Sequence, residues 1–126
     1  MFDHDEPQPT TLSLAITLPR CTTEDLGFLI HWCGAKAGDH PHFAKWVCML
    51  ATSELERRLH PGSEAGAIEL PKLSAAEYSD FLLGGFVLSR FPLSENLARF
   101  ADDLFAKIVC SVSAVLTTYV DESVRA

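Results

Sequence analysis

The pattern of apolar and polar residues predicts a chain made mostly of helices. Apolar side chains recur every three or four residues along four stretches, the spacing that keeps them on one face of a helix. Each stretch opens on a residue that can cap a helix or occupy its first turn. The predicted helices begin after Thr22 or Thr23, at Asp39-His40-Pro41, at Ser74 and at Ser94, and the last runs from Glu95 to about Val120.

Two shorter runs alternate instead and predict strands. In Thr11–Leu18, leucine or isoleucine occupies every second position, and Ile68-Glu69-Leu70 alternates on a smaller scale. A proline, Pro19 or Pro71, ends each run,. The C-terminal half of the last predicted helix is also rich in β-branched residues, so a strand there stays an alternative.

The two alternating runs belong to a weak internal repeat. Ile16–Thr22 and Ile68–Ser74 share the order isoleucine, any residue, leucine, proline, basic, apolar, hydroxyl. This order is also common local sequence ahead of a capped helix. If the repeat is structural, two strands pair with each other or with a second subunit. We expect a mainly α fold, with α+β as the alternative: a four-helix assembly with one or two short strands, arranged as a pseudo-two-fold pair of βαα units.

The sequence indicates one domain preceded by a short tail. Residues 1–10 hold two prolines and predict a flexible acidic tail, which leaves 11–126 as a single helical domain,. Within it, Gly84-Gly85 lies inside a predicted helix, where each glycine costs about 1 kcal/mol relative to alanine,. The pair predicts either the close approach of a neighbouring helix or a local break.

Composition and charge narrow the range of partners. The 126 residues are 48% hydrophobic and 21% charged, as in ordinary globular proteins,. Ten lysines and arginines stand against 17 aspartates and glutamates, a formal charge of −7. Because nucleic-acid affinity rests on clustered basic residues and Arg57-Arg58 is the only adjacent basic pair, nucleic acid is not an expected partner,. An acidic surface instead favours a basic protein partner.

No membrane span or secretory signal is expected. The most apolar stretch, Leu104–Val120, contains Lys107 and is shorter than the ~20 apolar residues of a membrane helix,. The acidic start of the sequence is unlike the basic start of a secretory signal. We therefore expect a cytoplasmic protein with reduced cysteines.

The chain carries no recognised catalytic motif. It lacks a Gly-x-Ser-x-Gly elbow, a His-Glu-x-x-His pair, a phosphate loop and a Cys-x-x-Cys pair,. Cys21 precedes a predicted helix N-terminus, a place that favours the thiolate,. The repeat aligns it with Leu73, however, and predicts a buried apolar position. We expect a protein that is not an enzyme.

The histidines suggest an alternative function, the binding of zinc or a small ligand. His40 and His42 share a predicted loop, His31 precedes them, and imidazole suits zinc,. Against a metal site, His31 and Cys33 stand two positions apart on a helix and point in different directions. The alternative is thus a metal-binding or ligand-binding helical protein, with enzymes included, whose His/Cys site lies between helices.

The favoured function is protein interaction. The last helix has a second apolar seam beside the one that a monomer core needs, and Trp32 lies off the apolar stripe of its helix,. We expect a homodimer that acts as a non-catalytic interaction module of the inhibitor, immunity or adaptor type. The expected interaction residues are Trp32, Val109, Leu116 and Val120.

Overall fold

Five α-helices and one 3₁₀ turn form the part of the chain that the structure describes. The structure is a computed structural model, and it describes residues 11–60 and 68–125. The fold is mainly α, as predicted, and these two ranges contain no strand. The elements in order are α1 Thr11–Thr17, the 3₁₀ turn Leu18–Arg20, α2 Thr23–Lys36, α3 Pro41–Leu59, α4 Ala75–Ser89 and α5 Glu95–Arg125.

The predicted strand at Thr11–Leu18 is wrong, because these residues form α1 and enter the 3₁₀ turn. Alternation with a period of two also spaces residues four apart, and that spacing is helical. Leu14 and Leu18 use it to enter the core, whereas Ile16 between them is exposed. A helix satisfies its own backbone groups, which a strand without a partner does not.

The second predicted strand, Ile68–Leu70, is wrong as well, since residues 68–74 have no regular secondary structure. The pair of βαα units and the four-helix assembly are therefore not confirmed. What the two halves share is a helix start. The Thr22 hydroxyl accepts from the Asp25 N–H at 3.0 Å, and the Ser74 hydroxyl accepts from the Glu77 N–H at 3.3 Å. In both capping boxes the acidic side chain in turn accepts a hydrogen bond from the backbone N–H of the N-cap residue, Thr22 or Ser74,.

The other predicted helix starts are confirmed. Pro41 is the first residue of α3, and the Ser94 hydroxyl accepts from the Leu97 N–H at 3.3 Å where α5 begins. The same hydroxyl donates to a carboxylate oxygen of Asp25 at 3.0 Å and so links the starts of α5 and α2. α5 is helical to Arg125, which decides against a strand in its C-terminal half and gives it a length of about 46 Å,.

The core lies where two helical hairpins meet. α2 packs on α3 and α4 packs on α5, while α3 against α4 joins the hairpins and α1 lies along α5. Phe43 of α3 is fully buried at this junction. Its ring lies nearly perpendicular to the rings of Trp32 and Phe81, with centroids 6.2 and 5.5 Å away. The cluster therefore joins α2, α3 and α4.

Gly84 and Gly85 bring α4 close to both of its neighbours. A Cβ atom at Gly84 would lie 2.5 Å from Cδ2 of Phe43, and one at Gly85 would lie 3.1 Å from Cδ1 of Phe105. α4 continues through both glycines without a break. The close approach predicted from the glycine pair is confirmed, with α3 on one side and α5 on the other.

A buried carboxylate fixes the C-terminal end of α3. Glu54 is only 5% exposed and accepts from Arg57 Nη2 at 2.6 Å and from Arg58 Nε at 2.9 Å. Arg58 also donates to the carbonyl oxygens of Pro19 and Cys21, beside the 3₁₀ turn. Burial alone raises the pKa of Glu54, but the hydrogen bonds and charges of the two arginines outweigh it and hold the pKa below its ordinary value of 4.5,. Arg57 and Arg58, the adjacent basic pair, thus stabilise the fold.

Replacement of Gly84 by alanine should destabilise the protein. The new methyl group would overlap the Phe43 ring, and overpacking of this kind costs about 1–3 kcal/mol,. Gly27→Ala is the matched control, because nothing lies within 4 Å of its Cβ position on α2. The control should gain up to about 1 kcal/mol from helix propensity. Urea unfolding measures both, and equal stabilisation by the two alanines would contradict the close contact.

Glu54→Gln should lower the free energy of unfolding by about 2 kcal/mol at pH 7, since hydrogen bonds to a buried charged group are lost. Because the folded pKa of Glu54 is depressed, its contribution is complete above 4.5 and is lost as the pH falls through the folded pKa,. The gap between wild type and variant should therefore narrow in acid.

Glu56→Gln is the control for this prediction, because Glu56 is exposed on the same helix and has no ion pair in the described ranges. Urea titrations at a series of pH values check both variants. A Glu54 effect that equals the Glu56 effect, or that persists unchanged in acid, would refute the role of the buried carboxylate.

Candidate functional site

The three histidines proposed as zinc ligands occupy different surroundings. His31 is exposed on α2, whereas His40 and His42 flank the start of α3. His40 Nδ1 lies 3.6 Å from a carboxylate oxygen of Asp80, and His42 Nδ1 lies 3.7 Å from one of Glu77. Among the residues that the structure describes, no three His, Cys, Asp or Glu side chains are placed to hold a metal ion.

The buried cysteines are poor nucleophiles. Cys21 is buried, as its alignment with Leu73 predicts. Burial, followed by the nearby charge of Asp25, raises the pKa of the Cys21 thiol to about 11. Burial likewise raises the pKa of Cys33 to about 12. Because the thiolate is the reactive form, neither side chain is set up for covalent catalysis.

Thiol labelling of the folded protein should follow burial. Cys110 is exposed and Cys48 is half-buried, so iodoacetamide should modify Cys110 first and Cys48 more slowly. Cys21 should remain unlabelled until the protein unfolds, since about one such thiol in a thousand is ionised at pH 8 and solvent does not reach it,. Peptide mapping by mass spectrometry gives each rate. Labelling of Cys21 at the rate of Cys110 in the folded state would contradict this assignment.

Trp32 does not lie where an interaction residue would. It is 3% exposed and packs against Phe43, so its ring does not reach the surface of the chain. Its position off the apolar stripe has a structural cause. The buried face of α2 also includes Leu29 and Cys33, and Trp32 widens this face toward α3.

The outer side of the α4–α5 hairpin carries a contiguous apolar surface, which we call the α4/α5 face. It consists of Leu83 and Phe86 on α4 and Phe105 and Val109 on α5. Leu83, Phe86 and Val109 are 57%, 49% and 39% exposed. The rings of Phe86 and Phe105 lie 6.0 Å apart, and Val109 follows Phe105 by one helical turn.

The other two predicted interaction residues, Leu116 and Val120, come later on α5. They follow Val109 by seven and eleven positions in the sequence. Their side chains lie outside the part of α5 for which side chains are described. Val109 is thus the predicted interaction residue that the structure places at the surface.

A second surface feature is a groove between α3, the start of α4 and the segment before it. Its volume is about 360 Å³, and it is open to solvent on one side. The rings of Trp46 and Phe81, whose centroids lie 5.4 Å apart, form its floor. Both rings also belong to the aromatic cluster of the core, so the groove lies directly beside that cluster. It is lined by His42, Lys45, Trp46, Met49, Pro71, Lys72, Leu73, Glu77 and Phe81.

The carboxylate of Asp80 fixes the start of α3, where His42 lines the groove. A carboxylate oxygen of Asp80 on α4 accepts from the His42 backbone N–H at 2.7 Å. The N-cap residue of α3, His40, makes no side-chain capping bond of its own. Asp80 therefore caps α3 from another helix and favours its N-terminus by charge. The start of α3 and the first turns of α4 are held together as one wall.

The charged groups around the groove differ in the partners that they have among the described residues. Hydrogen bonds from Ser74, its backbone N–H first, hold the pKa of Glu77 below the ordinary value, and Glu77 also lies beside His42. Lys45 and Lys72, by contrast, have no ion pair with any described residue. The groove therefore combines an aromatic floor with two ammonium groups that have no ion pair among the described residues.

The sequence pattern does not indicate this groove. Periodicity assigns Trp46 to the core, where it does lie, and gives no reason to single out Lys45 or Met49. The available signal is that Met49 is a large apolar residue off the buried stripe of α3 and one turn from Lys45. Lys72 reaches the groove from a segment that the sequence does not place next to α3.

A scan of protein-family models, a search of curated proteins and a search of solved structures each found no match for this chain. None of the described helices is long and apolar enough to cross a membrane.

Proposed function

We propose that the protein is a non-catalytic interaction module that forms a homodimer through the α4/α5 face. One observation carries this proposal: Leu83, Phe86 and Val109 are large apolar residues exposed on a single surface. Single exposed apolar residues are ordinary in a monomer, but a contiguous set marks a surface that another protein covers.

The chemistry of the face suits a protein interface. Phe86 and Phe105 supply aromatic surface, and the Arg90 guanidinium lies 5.5 Å from the centre of the Phe86 ring. Aromatic residues and arginine are enriched in interfaces, and this arginine stands at the edge of the apolar patch. A helical hairpin can meet its own copy about a two-fold axis, so that Phe86 and Val109 each contact the same face of the partner.

The proposed type of module is an inhibitor, immunity protein or adaptor, each of which acts by binding. The elevated pKa values of Cys21 and Cys33 support this choice over nucleophilic catalysis. The alternative function is the binding of a metal or small ligand near His40 and His42. The described ranges contain no set of three side chains placed to hold a metal ion there.

Phe86→Glu should convert the proposed dimer into a monomer, because each partner would bury an unpaired carboxylate in an apolar interface. Sedimentation equilibrium and native mass spectrometry across the micromolar range give the mass, and circular dichroism verifies the fold. Ile16→Glu is the control, since Ile16 is similarly exposed but lies on α1. A wild type that stays monomeric throughout, or a dimer that Phe86→Glu leaves intact, would overturn the proposal.

A further inference from the structure

We propose that the groove between α3 and α4 binds an acidic, amphipathic segment of a second protein, which places an apolar side chain on Trp46 and carboxylates beside Lys45 and Lys72. The inference rests on the proposed function only in treating the protein as a binding module. It concerns a different surface from the α4/α5 face.

The floor of the groove offers the apolar half of the match. The rings of Trp46 and Phe81 are held by the core and cannot move aside without disrupting it. Met49 lines the same groove with 54% of its surface exposed. A flexible, polarisable methionine beside a fixed tryptophan can adapt to an inserted side chain, and such pairs are common where proteins bind partner segments.

The two lysines supply the charged half. Lys45 projects from α3 and Lys72 from the segment before α4, so both line the same open groove. The whole chain has a formal charge of −7, yet salt screens charges beyond about 8 Å in physiological solution, so nearby groups decide the local field,. Glu77, the carboxylate among the lining residues, accepts from the Ser74 N–H and keeps its charge, so with histidine counted as neutral the two lysines leave the lining with a net charge of +1. Lys45 and Lys72 have no ion pair with any described residue, and an acidic ligand is the charge complement of this pair.

The shape favours a segment of a protein over a free small molecule. Small-ligand sites enclose roughly 70–90% of their ligand, whereas this groove is open along one side,. An open trough suits an element whose outer side remains attached to its own protein, as when a helix or an extended segment docks in a groove. The lining residues of α3 run from His42 to Met49, about 10 Å, enough for two turns of a helix,.

The test begins with selection of a random peptide library on the full-length protein. Enriched peptides should combine a large apolar residue with two or more carboxylates. A synthetic peptide of the enriched sequence is then titrated against wild type and variants by calorimetry. Lys45→Glu and Lys72→Glu should each weaken binding about five- to tenfold, because each places a like charge beside the ligand. Raised salt should weaken binding to wild type.

Arg20→Glu is the matched control, since it makes the same change of charge. Arg20 lies between Pro19 and Cys21, whose carbonyl oxygens accept from Arg58 near the end of α3. Arg58 is thirteen positions, about 20 Å along the helix, from Lys45. This variant should bind the peptide as wild type does. Met49→Asp adds a second readout within the groove. Because Met49 is exposed, the variant should fold normally and still lose affinity.

Three results would overturn the inference: enrichment of basic peptides or of none, equal loss of affinity in Arg20→Glu and the lysine variants, and saturation of the groove by decanoate as tightly as by the peptide. The last would identify a small-carboxylate site. Failure of the dimer proposal is read separately, from the mass of the protein, so the two proposals fail independently.

Discussion

The missing side chain at Gly84 sets the distance between the two helical hairpins. Phe43 occupies the space where a Cβ atom would stand, and this contact lets α3 lie directly on α4. The Trp32 and Phe81 rings then pack nearly perpendicular to the Phe43 ring, and Trp46 packs on Phe81. The floor of the groove is therefore the outer end of a cluster whose position depends on a glycine at its inner end.

Local chemistry explains why most helices could be predicted and α1 could not. Thr22 with Asp25 and Ser74 with Glu77 bond across three positions, so their pattern is visible in the sequence and survives in the structure,. Leu14 and Leu18 are four apart, which fits both a strand and a helix. What decides between them is whether a strand partner exists, and residues 68–74 do not provide one.

The groove could not be predicted because its parts meet only after folding. Asp80 caps the backbone of His42 from thirty-eight positions away, and Lys72 lines the same groove as Lys45 from twenty-seven positions away. Periodicity tells which side of a helix is buried but not which pair of helices leaves a gap. Trp32 shows the opposite mistake. It lies off the apolar stripe because α2 packs against α3 on that side, and not because its ring faces solvent.

α4 takes part in both proposed binding surfaces, and its anchoring keeps them separate. Gly84 and Gly85 fix its depth against α3 and α5, while the Ser74 capping box fixes its first turn. Phe81 then faces the groove and Phe86 faces outward on the α4/α5 face. A ligand in the groove and a partner on the outer face contact different residues, because the groove lining includes none of Leu83, Phe86, Phe105 and Val109. We therefore expect that the groove and the α4/α5 face can be occupied at the same time.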